Sequence, residues 1–291
     1  MKNQTFGIEI ETTGLSRETV ANIIANYFGT STRYAGTCYD TWTARDHKGR
    51  EWKCMNDSSI YRTGHGVCEL VSPILTYDDM DDLQEIVRLV RRAGAKSSPE
   101  YQCGIHVHVG QGEHNIKTLK NLVNFTAANQ DIIYKALQIG ERTRWCQKLE
   151  SVLVDKFNDR SMNTMRKGEI AWYGSESAAD CGKREHYNST RYHGLNLHSV
   201  FSKGTIEFRL FNGTLHAGKI RAYVCFCLAM SNFCLEKKSV LRECKSNFNE
   251  KYTMYAMLHK IGLKGSEFKN VREHLIAHLE GEMTHEGRTS H

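Results

Sequence analysis

The chain has 291 residues, 40% of them apolar, and a formal net charge of +6. That is chain and apolar surface enough for a sizeable core, which excludes disorder as the default state. The positive excess is scattered; it suits an anionic small molecule, and no basic stripe marks a nucleic-acid binder.

Residues 5–12 alternate with period 2: Phe6, Ile8 and Ile10 face one way, Gly7, Glu9 and Glu11 the other, which predicts a strand. Ser16 is an N-cap for a helix running through Val20, Ile23, Ile24 and Tyr27 to Gly29. Residues 32–59 are rich in Thr, Tyr and Trp around Lys48-Gly49 and predict a hairpin. Residues 67–71 predict a short strand. Residues 78–93 predict an amphipathic helix, acidic at its start and with Arg88, Arg91 and Arg92 at its end, as the helix dipole favours. Another strand is expected at 104–109 and a long helix at 115–137. Residues 141–187 are polar and irregular, with short helical pieces. Residues 194–201 and 204–211 predict paired strands around Ser202-Lys203. A helix follows at about 217–235, then two more helices and a polar tail after Glu282 that contains His285 and His291.

Ten cysteines are present without a CxxC pair, which argues against a zinc knuckle or thioredoxin-type site and for buried free thiols, Cys103 included. The N-terminus lacks a basic start and apolar h-region, and no apolar stretch approaches the roughly 20 residues that span a bilayer. The expectation is a cytoplasmic, reduced protein with no membrane association.

Three strands share one design. Glu9 and Glu11, His106 and His108, and Glu207 and Arg209 each stand at i and i+2, with apolar residues between. Side chains at i and i+2 share a face, so each strand offers a greasy face to a core and a polar face elsewhere. For any one strand the simple reading is a solvated face. If the three are neighbours, crowded carboxylates need a cation, and oxygen-rich ligands favour Mg²⁺ or Mn²⁺ over zinc. Arg209 suits bidentate capture of phosphate or carboxylate. Glu69 interrupts an apolar run and is a candidate fourth carboxylate; Asp57-Ser58-Ser59 is either an ordinary turn or part of the site's lining.

The segments Phe6–Glu11, Gly104–Val109 and Thr205–Asn212, with Asp57-Ser58-Ser59, Glu69–Pro73, Arg191-Tyr192 and Leu195-Asn196-Leu197 in order between them, resemble the amidoligase family of glutamine synthetase-like carboxylate–amine ligases. The resemblance implies an α+β fold: a curved antiparallel sheet, a half-barrel, with helices packed on its outer face. The catalytic domain is expected over 1–235; residues 236–291, which carry no family signal, are expected to be a C-terminal helical extension packed on the same domain. ATP and Mg²⁺ (or Mn²⁺) are the implied cofactors. Glu9, Glu11, Glu69, His106 and Glu207 would hold metal. His108, Arg209, Asn196 and Arg191 would contact the nucleotide, and Arg209, Glu207 and His108 would serve catalysis. Small-molecule or peptide carboxylates and amines are the implied partners, nucleic acid is not, and no oligomeric state is implied.

The implied reaction phosphorylates a carboxylate with ATP; an amine then displaces phosphate from the acyl phosphate. The base for the amine step is not named by any motif; His193, Glu169 and Asp180 are candidates. Two other readings stay open: a metal-dependent hydrolase using the same face, with His193 or His198 as added ligands, and an inactive binding protein. Trp145 and Trp172 are read as core or surface residues before a substrate lid.

Overall fold

A computed structural model describes residues 1–242 and 249–282. The expected polar tail with His285 and His291 lies outside the described residues. The strands are β1 (Phe6–Thr13), β2 (Thr32–Tyr34), β3 (Trp42–Arg45), β4 (Glu51–Met55), β5 (Val67–Val71), β6 (Gly104–Gly110), β7 (Leu195–Asn196) and β8 (Thr205–Asn212). They form one open antiparallel sheet in the order β2-β3-β4-β5-β1-β6-β8-β7, with ten α-helices among the described residues. The α+β class and the antiparallel sheet agree with the sequence reading. By internal contacts the chain divides into two units. One comprises 2–108 and 211–224; the other comprises residue 1, 109–210 and 225–291.

In the first unit the hydrophobic alternation fixes the register. Ile10 lies opposite Leu70 and Leu70 opposite Cys54, while Glu11 lies opposite Glu69 and Glu69 opposite Met55. A shift by one residue would turn the second row into the apolar core and the first away from it. The apolar row is covered by α1 (Arg17–Phe28), which packs on β3, β4 and β5 through Val20, Ala21 and Ile24. Ser16 caps that helix by accepting from the Thr19 N–H, and Gly29 ends it in the left-handed conformation. Helix α2 (Met80–Arg92) packs beside it, burying Leu83, Ile86, Val87 and Val90. Each such side chain contributes roughly 1.5–3 kcal/mol. Asp79 ties the β3–β4 turn to the start of α2: Arg50 donates to both its oxygens, at 2.8 and 2.9 Å, and Lys48 at 2.6 Å.

The other unit is built on α3 (Ile116–Ala136), with α4 (Ser151–Asn158), α5 (Met165–Tyr173), α6 (Glu176–Gly182), α7 (His198–Lys203), α9 (Glu250–Lys260) and α10 (Lys269–Ile276). Helix α8 (Ala217–Glu236) contributes residues to both units. The amide of Asn121 in α3 donates to the carbonyls of Cys234 and Lys237, closing the end of α8. No described helix is long and apolar enough to cross a membrane.

Two local expectations are corrected. Residues 32–59 make three strands rather than one hairpin, because residues 35–41 turn the chain once before Lys48-Gly49 turns it again. Residues 194–201 do not form a long strand. Pairing stops after Leu195 and Asn196, which lie opposite Phe208 and Glu207. The Asn196 side chain then accepts from the His198 N–H and starts α7. A local side-chain acceptor competes here with the sheet ladder and wins.

Candidate functional site

In the unit containing β1, β5 and β6, the polar faces of those strands are not solvated. Glu11 is 6% exposed and His106 4%. Glu9 sits between two imidazoles: Nδ1 of His106 is 2.9 Å from one oxygen and Nε2 of His108 is 3.1 Å from the other. Burial alone would raise the Glu9 pKa, but the two histidines hold it well below the usual carboxylate range. An ionised carboxylate only accepts, so both facing imidazole nitrogens carry the hydrogen. The other ring nitrogen of His106, Nε2, lies 3.9 Å from Oε1 of Glu11. That separation is too long for a hydrogen bond and suits two ligands of one ion. Glu11 also accepts from the Gly104 N–H.

Glu69 is the crowded member. Burial, and then the charges of Glu9, Glu11 and Asp57, push its pKa well above the normal value. Ligand atoms of Glu9, Glu69 and His106 lie within 4.8 Å of one another, as do those of Glu11, Asp57 and Glu69. Glu69 is common to both groups. The register explains it: Glu69 lies between Glu11 and Met55, and Asp57 follows Met55 where β4 ends. Asp57 stands beside Glu11 and Glu69, and its carboxylate also accepts from the Ser59 N–H in a turn. The donor set, mostly carboxylate oxygens with an imidazole, fits a hard divalent cation.

In the other unit, Glu207 and Arg209 stand in β8, 3% and 5% exposed. Arg209 donates to one Glu207 oxygen at 2.6 Å. The other oxygen accepts from Asn196 at 2.6 Å and Ser199 at 2.7 Å. The Arg209 guanidinium also lies over the Tyr192 ring, 6.0 Å from its centroid. Asn196 reaches Glu207 because the two are register partners; Ser199 arrives because α7 begins where β7 stops. Ser199 was not found by sequence reasoning, which took 194–201 for a strand.

Glu207, Asn196, Ser199, His198 and Arg191 all line a cavity of about 180 Å³. His198 is 4% exposed, and its Nδ1 lies 2.6 Å from the Tyr173 hydroxyl. Burial, then the neighbouring Arg191, pushes its pKa down. The candidate bases stand elsewhere. Glu169 and Asp180 are both paired with Arg166, at 2.9 and 2.7 Å, and His193 is bonded to the Thr190 carbonyl and packed edge-on against Trp172. Trp172 is itself 5% exposed and belongs to the core.

The structure thus brings Glu9, Glu11, Glu69, His106 and His108 together in one unit, and Glu207, Arg209, Asn196 and Arg191 together in the other. Compared with known families, residues 2–231 match the model described as "Putative amidoligase enzyme". No curated protein matches the chain.

Proposed function

The chain belongs to the amidoligase family, and from that premise we propose that it is an ATP-dependent carboxylate–amine ligase that forms an amide through an acyl phosphate. The observation that carries the reading is the buried carboxylate–imidazole cluster around Glu69. Glu9, Glu11, Glu69, Asp57 and His106 would hold Mg²⁺ or Mn²⁺, and a bound divalent ion would neutralise phosphate charge. His106 and His108 keep Glu9 ionised and fixed in place. Gly104 does the same for Glu11 through its N–H.

In this reading His108 contacts the nucleotide, while Glu207, Asn196 and Arg191 serve the site in the other unit. Arg209 favours the charge that develops on the transferring phosphoryl group. Its guanidinium is already oriented by Glu207 and Tyr192, so little ordering is left to the moment of reaction. The acid and amine are small-molecule or peptide groups.

The test is ADP release in the presence of ATP, Mg²⁺ and a metabolite extract, with product mass measured in parallel. The expected result is Mg²⁺-dependent ADP formation and new species equal to an acid plus an amine less water. Product formation in ATP-free buffer would overturn the ligase, and if that turnover were abolished by EDTA it would favour the metal-dependent hydrolase on the same face.

A further inference from the structure

The 180 Å³ cavity beside Glu207 has a mainly basic lining. Its lining includes Lys183, Arg184, Arg191 and Lys203. Lys183 is neutralised by Glu169, 3.2 Å away. Arg184 and Lys203 are exposed and form no ion pair among the described residues. Arg191 gives one N–H to the His186 carbonyl and flanks the rings of Tyr187 and Tyr192, with no carboxylate partner among the described residues. Two acidic residues also line the cavity, and only one of them is charge-compensated. Glu207 is closed by Arg209, Asn196 and Ser199, and Glu185 accepts from Asn188. Three guanidinium or ammonium groups therefore face a small cavity against the one carboxylate of Glu185, unpaired among the described residues, which leaves the lining with an excess of positive charge.

Size decides between anions. Pockets for drug-sized ligands run from about 300 to 1,000 Å³. A cavity of about 180 Å³ is too small for a whole adenine nucleotide and fits a short organic acid. The lining adds polar side chains of fixed orientation: Asn196 and Ser199 are held by Glu207, and the His198 ring is held by Tyr173.

We propose that this cavity binds the acid substrate, and that this substrate carries a second carboxylate held by Arg184, Arg191 and Lys203. That the bound acid is the one activated rests on the ligase reading; that the cavity takes a dicarboxylate does not. Arg191 then serves the acid rather than the nucleotide. One carboxylate of a short dicarboxylate meets the basic rim, which leaves the other free to react.

The experiment is calorimetric titration of the full chain with succinate, glutarate and adipate, against butyrate, valerate and hexanoate as matched monocarboxylates. Ionic strength is held constant, because exposed cations also attract anions without a site. At least one dicarboxylate is expected to bind one to one, tenfold or more tighter than its partner. Arg184→Glu and Lys203→Glu should each weaken it tenfold or more. Both residues are exposed, so thermal unfolding without ligand should be unchanged. No dicarboxylate preference, or wild-type affinity in the double variant, overturns the proposal; so does inorganic phosphate binding more tightly than every dicarboxylate. The two readings fail separately. Selective dicarboxylate binding without ADP release under any amine leaves the cavity assigned and removes the ligase. ADP release with an acid whose KM is unchanged by Arg184→Glu and Lys203→Glu keeps the ligase and removes the cavity.

Discussion

Glu207 and Arg209 are 2.6 Å apart and almost wholly out of water, so they must be tested as a pair. Glu207→Ala would leave a buried guanidinium without its partner and lower stability as well as activity. Glu207→Gln keeps the shape and can still accept from Arg209. It should keep most of the melting temperature and lose about 100-fold or more of kcat. Arg209→Lys should lose a similar factor, since an ammonium does not replace a planar fork that also packs on Tyr192. Wild-type kinetics in either variant would take that residue out of the reaction. His114 makes a separate prediction. It is buried, bonded to Thr118 and Ser231, and its pKa is pushed by burial from 6.5 down to about 4. The unfolded chain therefore binds more protons between those values. The stabilisation from neutral His114, of order 3 kcal/mol, is complete above pH 6.5 and disappears as pH falls to about 4. In His114→Gln, denaturant melts should show lower stability at pH 7 and a shallower loss over that window. An unchanged slope would show that His114 does not titrate there.

At the scale of elements, the short β7 matters more than its two residues suggest. Gly194, just before it, has no room for a side chain. A Cβ there would lie 2.4 Å from the Tyr134 hydroxyl and 2.5 Å from Cδ2 of Leu210. Tyr134 cannot swing away without losing its bonds to the Cys146 and Gln147 carbonyls, each 2.8 Å long. Gly194→Ala should therefore cost about 1–3 kcal/mol by overpacking. Because Gly194 precedes the strand that delivers Asn196 to Glu207, kcat should fall as well. A melting temperature equal to wild type would mean that α3 and β8 yield easily at this point. The ion-pair network around Asp79 plays the corresponding part in the other unit, fixing the β3–β4 turn to α2 behind the sheet.

For the whole molecule, a divalent ion held by the crowded carboxylates, as proposed, would make stability depend on that ion. A ligand that binds only the folded chain stabilises it by about 2.7 kcal/mol at 100 times its Kd. Mg²⁺ or Mn²⁺ should raise the melting temperature of the EDTA-treated protein by several degrees. The rise should be reduced or absent in Glu69→Gln and Asp57→Asn, because Glu69 belongs to both ligand groups and Asp57 to one. If Asp57→Asn responds to Mg²⁺ like wild type, Asp57 is only a turn residue. Ca²⁺ tolerates larger and more flexible coordination, so a weaker response to it would favour the tighter octahedral ions.

The sequence by itself determined the faces. Period-2 alternation is a local property of the backbone, so Glu9 with Glu11, His106 with His108, and Glu207 with Arg209 could be placed on polar faces before any fold was known. The long helices and their caps at Ser16 and Gly29 were legible for the same reason. The family pattern added the open antiparallel sheet. Tertiary structure decided what those faces meet, since register and burial depend on residues far apart in the chain. It made Glu69 the shared carboxylate, because the pairing of β1 with β5 sets it opposite Glu11. It brought Asp57 to the same group, where composition predicted a turn equally well. It also ended a strand at Asn196, when one side-chain acceptor captured the next backbone N–H. That break put Ser199 and His198 beside Glu207, with a basic cavity in front of them.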